Sequence, residues 1–151
     1  MRVSNRVASL TPSATLAISA KAKQMRKEGK RIIDFSAGEP DFNTPEPVQK
    51  AAIKAIQENY TRYTPVAGSG ELIQAISKKF REDNNLDYSP SQIVVGNGAK
   101  QIIFNALQVV CNPGDEVIVP MPYWVSYPEQ IRLAGATPVY IYLEFEKELK
   151  I

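Results

Sequence analysis

Apolar positions along this chain fall into two periods. Ile102, Ile103, Ala106, Leu107 and Val110 sit at i, i+1, i+4, i+5 and i+8, which makes one apolar face of a helix over Ala99–Val110. Ser13 caps a helix running to about Lys27, with Leu16, Ala17, Ala20 and Met25 as its apolar contacts and Gly29 as its stop. Thr44 caps another, with Pro45 at its first position, Glu46 in its first turn and Val48, Ala51, Ala52, Ala55 and Ile56 as its buried face. Ser69 caps a third, whose Leu72, Ile73, Ile76 and Phe80 face inward. A last helix, from about Tyr127 to Ala134, stops at Gly135. Between these lie short continuous apolar runs, Ile32–Phe35, Gln92–Val95, Val117–Pro120 and Val139–Tyr142, that read as strands. Such strands alternating with amphipathic helices predict an α/β fold, a three-layer α/β/α arrangement with a mainly parallel sheet. Residues 1–12 read as an extended arm, and two loops rich in turn formers, 37–43 and 60–70, interrupt the pattern.

Composition narrows the class. The 151 residues make one ordinary domain, or an arm plus one domain, with 44% apolar and 23% charged residues, as in a soluble globular protein. A net charge of +2, with lysines and arginines scattered, argues against a nucleic-acid partner. No apolar run is long enough to cross a membrane, and the first residues lack the apolar core of a signal peptide. The cytoplasm is the expected compartment. The single cysteine, Cys111, makes no internal disulfide and reads as buried and inert at the end of an apolar helix. With no histidine and one cysteine, neither a zinc site nor a histidine-based triad can be built on this chain.

The candidate chemistry gathers at Gly96-Asn97-Gly98, where a run of strand character turns straight into the Ala99–Val110 helix. The first N–H groups of that helix lack intrahelical partners and, with the helix dipole, suit a phosphate or carboxylate. A dinucleotide fingerprint would need a third glycine where Gln101 stands and an acidic residue where Val119-Pro120 ends the next strand. An ATPase phosphate loop would need Gly-Lys-Ser or Gly-Lys-Thr, whereas Lys100 follows Ala99 and precedes Gln101. Both patterns fail, and a glycine turn that merely joins strand to helix stays open. Trp124 lies just past the carboxyl end of the next strand, where ligands of parallel sheets bind, and could stack on a flat heteroaromatic ring or simply fill core. Tyr63 offers a hydroxyl, or is a surface tyrosine. Gly38 could bring bare backbone to a ligand, or be a plain turn. Together these positions suggest a phosphorylated, planar ligand.

Five motifs in order and at matching spacing carry a resemblance: Ala37-Gly38-Glu39-Pro40-Asp41-Phe42; Tyr63-Thr64 with Gly68; Asn97-Gly98-Ala99-Lys100-Gln101; Asn112-Pro113-Gly114-Asp115-Glu116-Val117; and Pro122-Tyr123-Trp124-Val125-Ser126-Tyr127. The chain resembles the N-terminal part of a class I aminotransferase of pyridoxal-phosphate fold type I, with the bacterial aspartate aminotransferases nearest. The resemblance covers nearly the whole chain, and it departs at Ile73, where relatives often carry arginine, and in the charged stretch 144–151.

What the resemblance implies is specific. The backbone of Gly98, Ala99 and Lys100 would bind the phosphate of pyridoxal 5'-phosphate, Trp124 would stack on its pyridine ring, and Gly38 would meet the substrate α-carboxylate through its N–H. Tyr63 would donate its hydroxyl to the phosphate of a neighbouring subunit, implying a homodimer onto which the arm also packs. The reaction would move an amino group between an L-amino acid and a 2-oxo acid through pyridoxamine phosphate, with aspartate as the leading substrate and aromatic amino acids or prephenate next. No catalytic residue is expected in this chain, because the family's Schiff-base lysine, and the aspartate and arginine that accompany it, lie downstream of the matched region; Lys100 is a phosphate-loop residue. Residues 1–43 would form the arm and the start of a small domain, and 44–151 the first, truncated part of the large cofactor-binding domain. The chain is therefore expected to be a fragment, inactive alone, with apolar edges exposed. The alternative is a non-catalytic half-domain that binds a phosphorylated ligand or docks on a full-length homologue.

Overall fold

The computed structural model describes residues 2–36 and 38–143. Its elements are α1 (Asn5–Ala8), α2 (Ala14–Lys27), α3 (Glu46–Gln57), α4 (Gly70–Asn84), a 3-10 turn at Pro90–Gln92, α5 (Ala99–Val110), β1 (Glu116–Met121), α6 (Ser126–Leu133) and β2 (Thr137–Tyr142). Local signals set most of the helix ends. The Ser13 hydroxyl accepts the Leu16 N–H at 3.3 Å, and the Ser69 hydroxyl accepts the Leu72 N–H at 3.4 Å. Each supplies an acceptor to a first-turn donor that the helix itself cannot satisfy. At the other end of α6, Gly135 adopts φ +87°. That left-handed turn lets the Ala136 N–H reach back to the Ile131 carbonyl at 3.1 Å and close the helix.

Two compact units divide the chain, one formed by residues up to Gly38 together with those from Gly98 onward, the other by Glu39–Asn97. In the first, β1 and β2 pair in parallel, in register from Glu116 opposite Thr137 to Met121 opposite Tyr142, with α6 as the crossover. This is the β-α-β unit that the alternation of apolar runs and amphipathic helices predicts. Val119, Ile131 and Ala136 form its buried centre, and Leu107, Cys111 and Val117 pack against them. Those contacts hold α5 and α6 against β1. In the second unit, Ile73, Ser77 and Ile93 are buried, the Ser77 hydroxyl donates to the Tyr88 carbonyl at 2.6 Å, and the Phe80 and Tyr88 rings meet edge to face at 6.1 Å.

Several expectations are corrected. The arm is not wholly extended: Ser4 caps the short helix α1 by accepting the Val7 N–H. Pro45, not Thr44, caps α3, because the Pro45 carbonyl takes the first intrahelical bond, from the Gln49 N–H at 3.1 Å. Ile32–Phe35 and Gln92–Val95 are not strands. A ladder needs a neighbour to exchange N–H and C=O groups, and among the described residues only β1 and β2 have one. Ile93 keeps extended dihedrals, and the Val95 N–H bonds the Ala67 carbonyl at 2.8 Å, but Gln92 belongs to the 3-10 turn. The apolar face of α3 is not buried: Val48 and Ile56 are exposed and Ala55 is half-buried. Leu16 is likewise exposed, and the contact α2 buries is Ala22. Leu72 is exposed while Ile73 is buried, and on α5 Ile102, Ile103 and Leu107 are half-buried while Ala106 and Val110 are exposed. Cys111 is half-buried. The charged stretch 144–151 lies outside the described residues.

Ile131 is 2% exposed at the centre of its cluster, so Ile131→Ala should destabilise the chain by about 2–5 kcal/mol in a denaturant titration. Phe35 is 92% exposed, so Phe35→Ala should stay within about 0.5 kcal/mol of the parent. Equal losses at the two positions would contradict this placement of the core.

Candidate functional site

The first turn of α5 offers exposed backbone donors. Gly98 stands at its N-terminus with φ +86° and ψ 160°, and no side chain caps the helix there. Positive φ is open to glycine and costly for a residue with a Cβ. The Gly98 carbonyl accepts from Gln101 N–H at 3.1 Å and Ile102 N–H at 3.3 Å. The N–H groups that precede those two have no intrahelical acceptor, and Gly98, Ala99 and Lys100 are all exposed.

Trp124 lies beside this turn. It follows β1 by three residues, after a cis Met121–Pro122 bond, and leads directly into α6. Its carbonyl accepts the Tyr127 N–H at 3.0 Å, and its indole N–H donates to the Ser126 hydroxyl at 3.0 Å. These two bonds fix the ring, yet it remains 53% exposed, so it does not fill core. The Lys100 ammonium stands 5.4 Å from the indole centroid, a cation–π contact. The α5 turn and the aromatic face are thus within the reach of one lysine side chain. A cleft of about 510 Å³ runs along the ring, lined by Ile103, Val119, Pro122, Tyr123 and Tyr127 among others. Tyr123 stacks on Tyr140 with centroids 5.2 Å apart. Loss of solvation and the neighbouring Tyr140 phenol raise the Tyr123 pKa above the ordinary tyrosine value.

This donor set suits a ligand with a phosphate at one end and a flat ring at the other. Backbone N–H groups at a helix N-terminus complement a dianion, and an exposed indole face complements an aromatic ring. Gly38 is exposed, in the same unit as α5. The segment leading to it, Ile32–Ser36, has no ladder, and Asp34 and Ser36 anchor it instead. The Asp34 carboxylate accepts the Ser36 N–H at 3.0 Å and the Ser36 hydroxyl at 2.6 Å, Arg26 lies 3.4 Å away, and the Ser36 and Ser19 hydroxyls are 2.8 Å apart. Tyr63 is fully exposed in its loop, in the unit formed by Glu39–Asn97.

Pattern reading missed two groups. Gln130 on α6 is buried, and its amide donates to the Lys100 carbonyl at 3.0 Å. Asp34 and Ser36 form the anchor before Gly38. A glutamine on a short helix, or an aspartate followed by serine, reads as solvated surface, and no spacing marks either.

The parallel β-α-β unit thus carries an uncapped helix N-terminus and an exposed aromatic ring beyond the strand end, the region where open α/β sheets bind ligands. The family model "Aminotransferase class I and II" matches residues 30–151, and the chain belongs to that family. It is 55% identical over 149 residues to an aspartate aminotransferase of Bacillus sp. (strain YM-2), covering 99% of this chain and 38% of that protein. It is 50% identical over 151 residues to the aspartate aminotransferase of Bacillus subtilis (strain 168), covering all of this chain and again 38% of the relative. Its fold superposes on the aspartate aminotransferase from Thermus thermophilus with maleate at a TM-score of 0.93 and 46% identity, covering 99% of this chain and 39% of that one. The chain thus spans under two-fifths of the length of the relatives it matches, and corresponds to the N-terminal portion of their fold.

The hydrogen bond from the Ser36 hydroxyl, then that from its N–H, hold the Asp34 carboxyl below the ordinary aspartate value against partial desolvation, with Arg26 and Lys23 adding a favourable charge. A lowered folded-state pKa contributes stability above the unfolded value, about pH 4, that is lost as pH falls through the folded value. Ser36→Ala should therefore move the Asp34 midpoint upward in a carboxyl carbon NMR titration. An unmoved midpoint would show that the serine hydroxyl is not the cause.

Proposed function

We propose that this chain supplies the phosphate- and ring-binding part of a pyridoxal-phosphate-dependent aminotransferase. The whole protein would move an amino group between an L-amino acid, aspartate first, and a 2-oxo acid. The observation that carries the reading is the juxtaposition of the uncapped α5 turn with the exposed indole of Trp124, bridged by Lys100. The names of the relatives support aspartate as the amino donor, and maleate, bound in the Thermus structure, is a four-carbon dicarboxylate like it.

In this reading the N–H groups of Gly98, Ala99 and Lys100 bind the phosphate, and the α5 dipole favours its negative charge by about 0.3–1 kcal/mol where exposed. Trp124 covers one face of the pyridine ring and excludes water from it. Gly38 presents its N–H to the substrate α-carboxylate. Tyr63 donates its hydroxyl to the phosphate held by a second copy, so the assembly is a homodimer with shared sites. Residues 1–43 belong to the arm and small domain, and 44–151 to the large cofactor-binding domain. When bound, pyridoxal phosphate supplies the electron sink for proton removal at the substrate α-carbon. The lysine, aspartate and arginine that complete such a site are not among the matched positions, so the 151 residues alone bind without turning over.

Trp124 is the sole tryptophan, so its emission reports on the site. Pyridoxal 5'-phosphate should quench it saturably, and inorganic phosphate should compete. Trp124→Ala, followed by cofactor absorbance, should weaken binding by about 2- to 12-fold, the equivalent of 0.5–1.5 kcal/mol. No transamination of aspartate should be detectable with the isolated chain. An absence of saturable binding would sink the cofactor assignment, and robust turnover would sink the half-site assignment.

A further inference from the structure

We propose that Gln130 is a positioning residue that fixes the spacing between the phosphate-binding turn of α5 and the indole of Trp124. The inference rests on the cofactor reading above and adds a residue to it. Gln130 is 8% exposed on α6, the helix that Trp124 leads into. The backbone of α6 already holds Trp124, through the Tyr127 N–H on its carbonyl, and Ser126 holds the indole N–H. Gln130 adds the link across to α5, donating its amide N–H to the carbonyl of Lys100, the second residue of that helix, at 3.0 Å. The Lys100 side chain makes the second link to the indole, but through a flexible, exposed stem. The Gln130 bond acts on backbone, at the turn whose N–H groups face the ligand.

The other half of the same amide shows what this link costs. Gln130 Oε1 is buried and has no hydrogen-bond partner among the described residues. The amide cannot be reversed to relieve this, since Oε1 would then face the Lys100 carbonyl, acceptor against acceptor. A methionine of similar shape would keep the side chain's volume and remove the donor to the Lys100 carbonyl. Glutamine is accounted for by the bond it donates, and that bond joins the two parts of the site.

The test uses sulfate, a dianion that does not titrate near neutral pH, at ionic strength held constant with chloride. Binding is read from the amide NMR shifts of Ala99 and Lys100 and from the Trp124 indole N–H, with a denaturant midpoint for each variant. Gln130→Met should weaken sulfate binding by about three- to tenfold, the worth of one hydrogen bond, while its midpoint stays equal or rises. Gln130→Glu should bind poorly at neutral pH, where a carboxylate faces the Lys100 carbonyl. It should regain affinity as pH falls and the carboxylic acid donates its O–H. At pH values where the denaturant midpoint shows Gln130→Glu folded, a merely structural residue would give no pH-dependent change in sulfate affinity. Equal sulfate affinity in the parent and Gln130→Met overturns the proposal, as does a pH-independent affinity in Gln130→Glu; if Gln130→Met does not fold, the Gln130→Glu profile decides. Failure of the parent itself to bind sulfate at these amides overturns the phosphate-site reading, and this inference with it, and is distinguishable because it appears without any substitution.

Discussion

A helix cannot satisfy its own first N–H groups, and at α5 the chain leaves that deficit facing outward. Every other helix of twelve residues or more has a serine acceptor or a proline at its start. α5 has Gly98, which carries no acceptor and whose positive φ leaves the turn open. The deficit is useful only where the turn is held still. The Val119, Ile131 and Ala136 cluster, with Leu107 from α5 packed against it, supplies that rigidity by burying apolar surface from two helices and a strand. Core and helix N-terminus are therefore one arrangement: the packing that stabilises the β-α-β unit also holds the uncapped turn of α5 in place.

Trp124 shows the same economy. Its ring is fixed by the serine two residues on and by the start of α6, so it stays exposed without being loose. The Lys100 ammonium lies against the indole as a cation–π contact. The same lysine thus lies at the start of α5 in sequence and against the indole in space.

How much of this was legible in the sequence follows from how local each cause is. Ser13, Ser69, Gly29 and Gly135 set helix ends through bonds to residues three to five positions away, and reading those residues places the ends correctly. Ile32–Phe35 and Gln92–Val95 have strand composition, but a strand is a relation between two segments, and composition does not supply the second. The apolar stripe of α3 says which face would be buried, not whether anything covers it. At the candidate site, Gly98 and Trp124 stood out because a glycine opening a helix and a lone tryptophan beyond a strand end are physically pointed. Gln130 and the Asp34–Ser36 anchor did not, because their roles depend on what lies opposite them in space.

The division of the chain into units carries a consequence for how it is made. The unit that holds α5 and Trp124 is discontinuous, with its two segments separated by the whole of Glu39–Asn97. Thr11, on the early segment, donates its N–H to the Glu129 carboxylate on the late one, at 3.2 Å across 118 positions. As the chain leaves the ribosome, the inserted unit is complete first and can collapse on local contacts, while the arm waits for α6 to emerge. Closing that loop is entropically cheap, since each doubling of its length adds only about 0.6 kcal/mol. The delay is kinetic: the early segment of this unit gains its anchor only once α6 of the late segment has been synthesised.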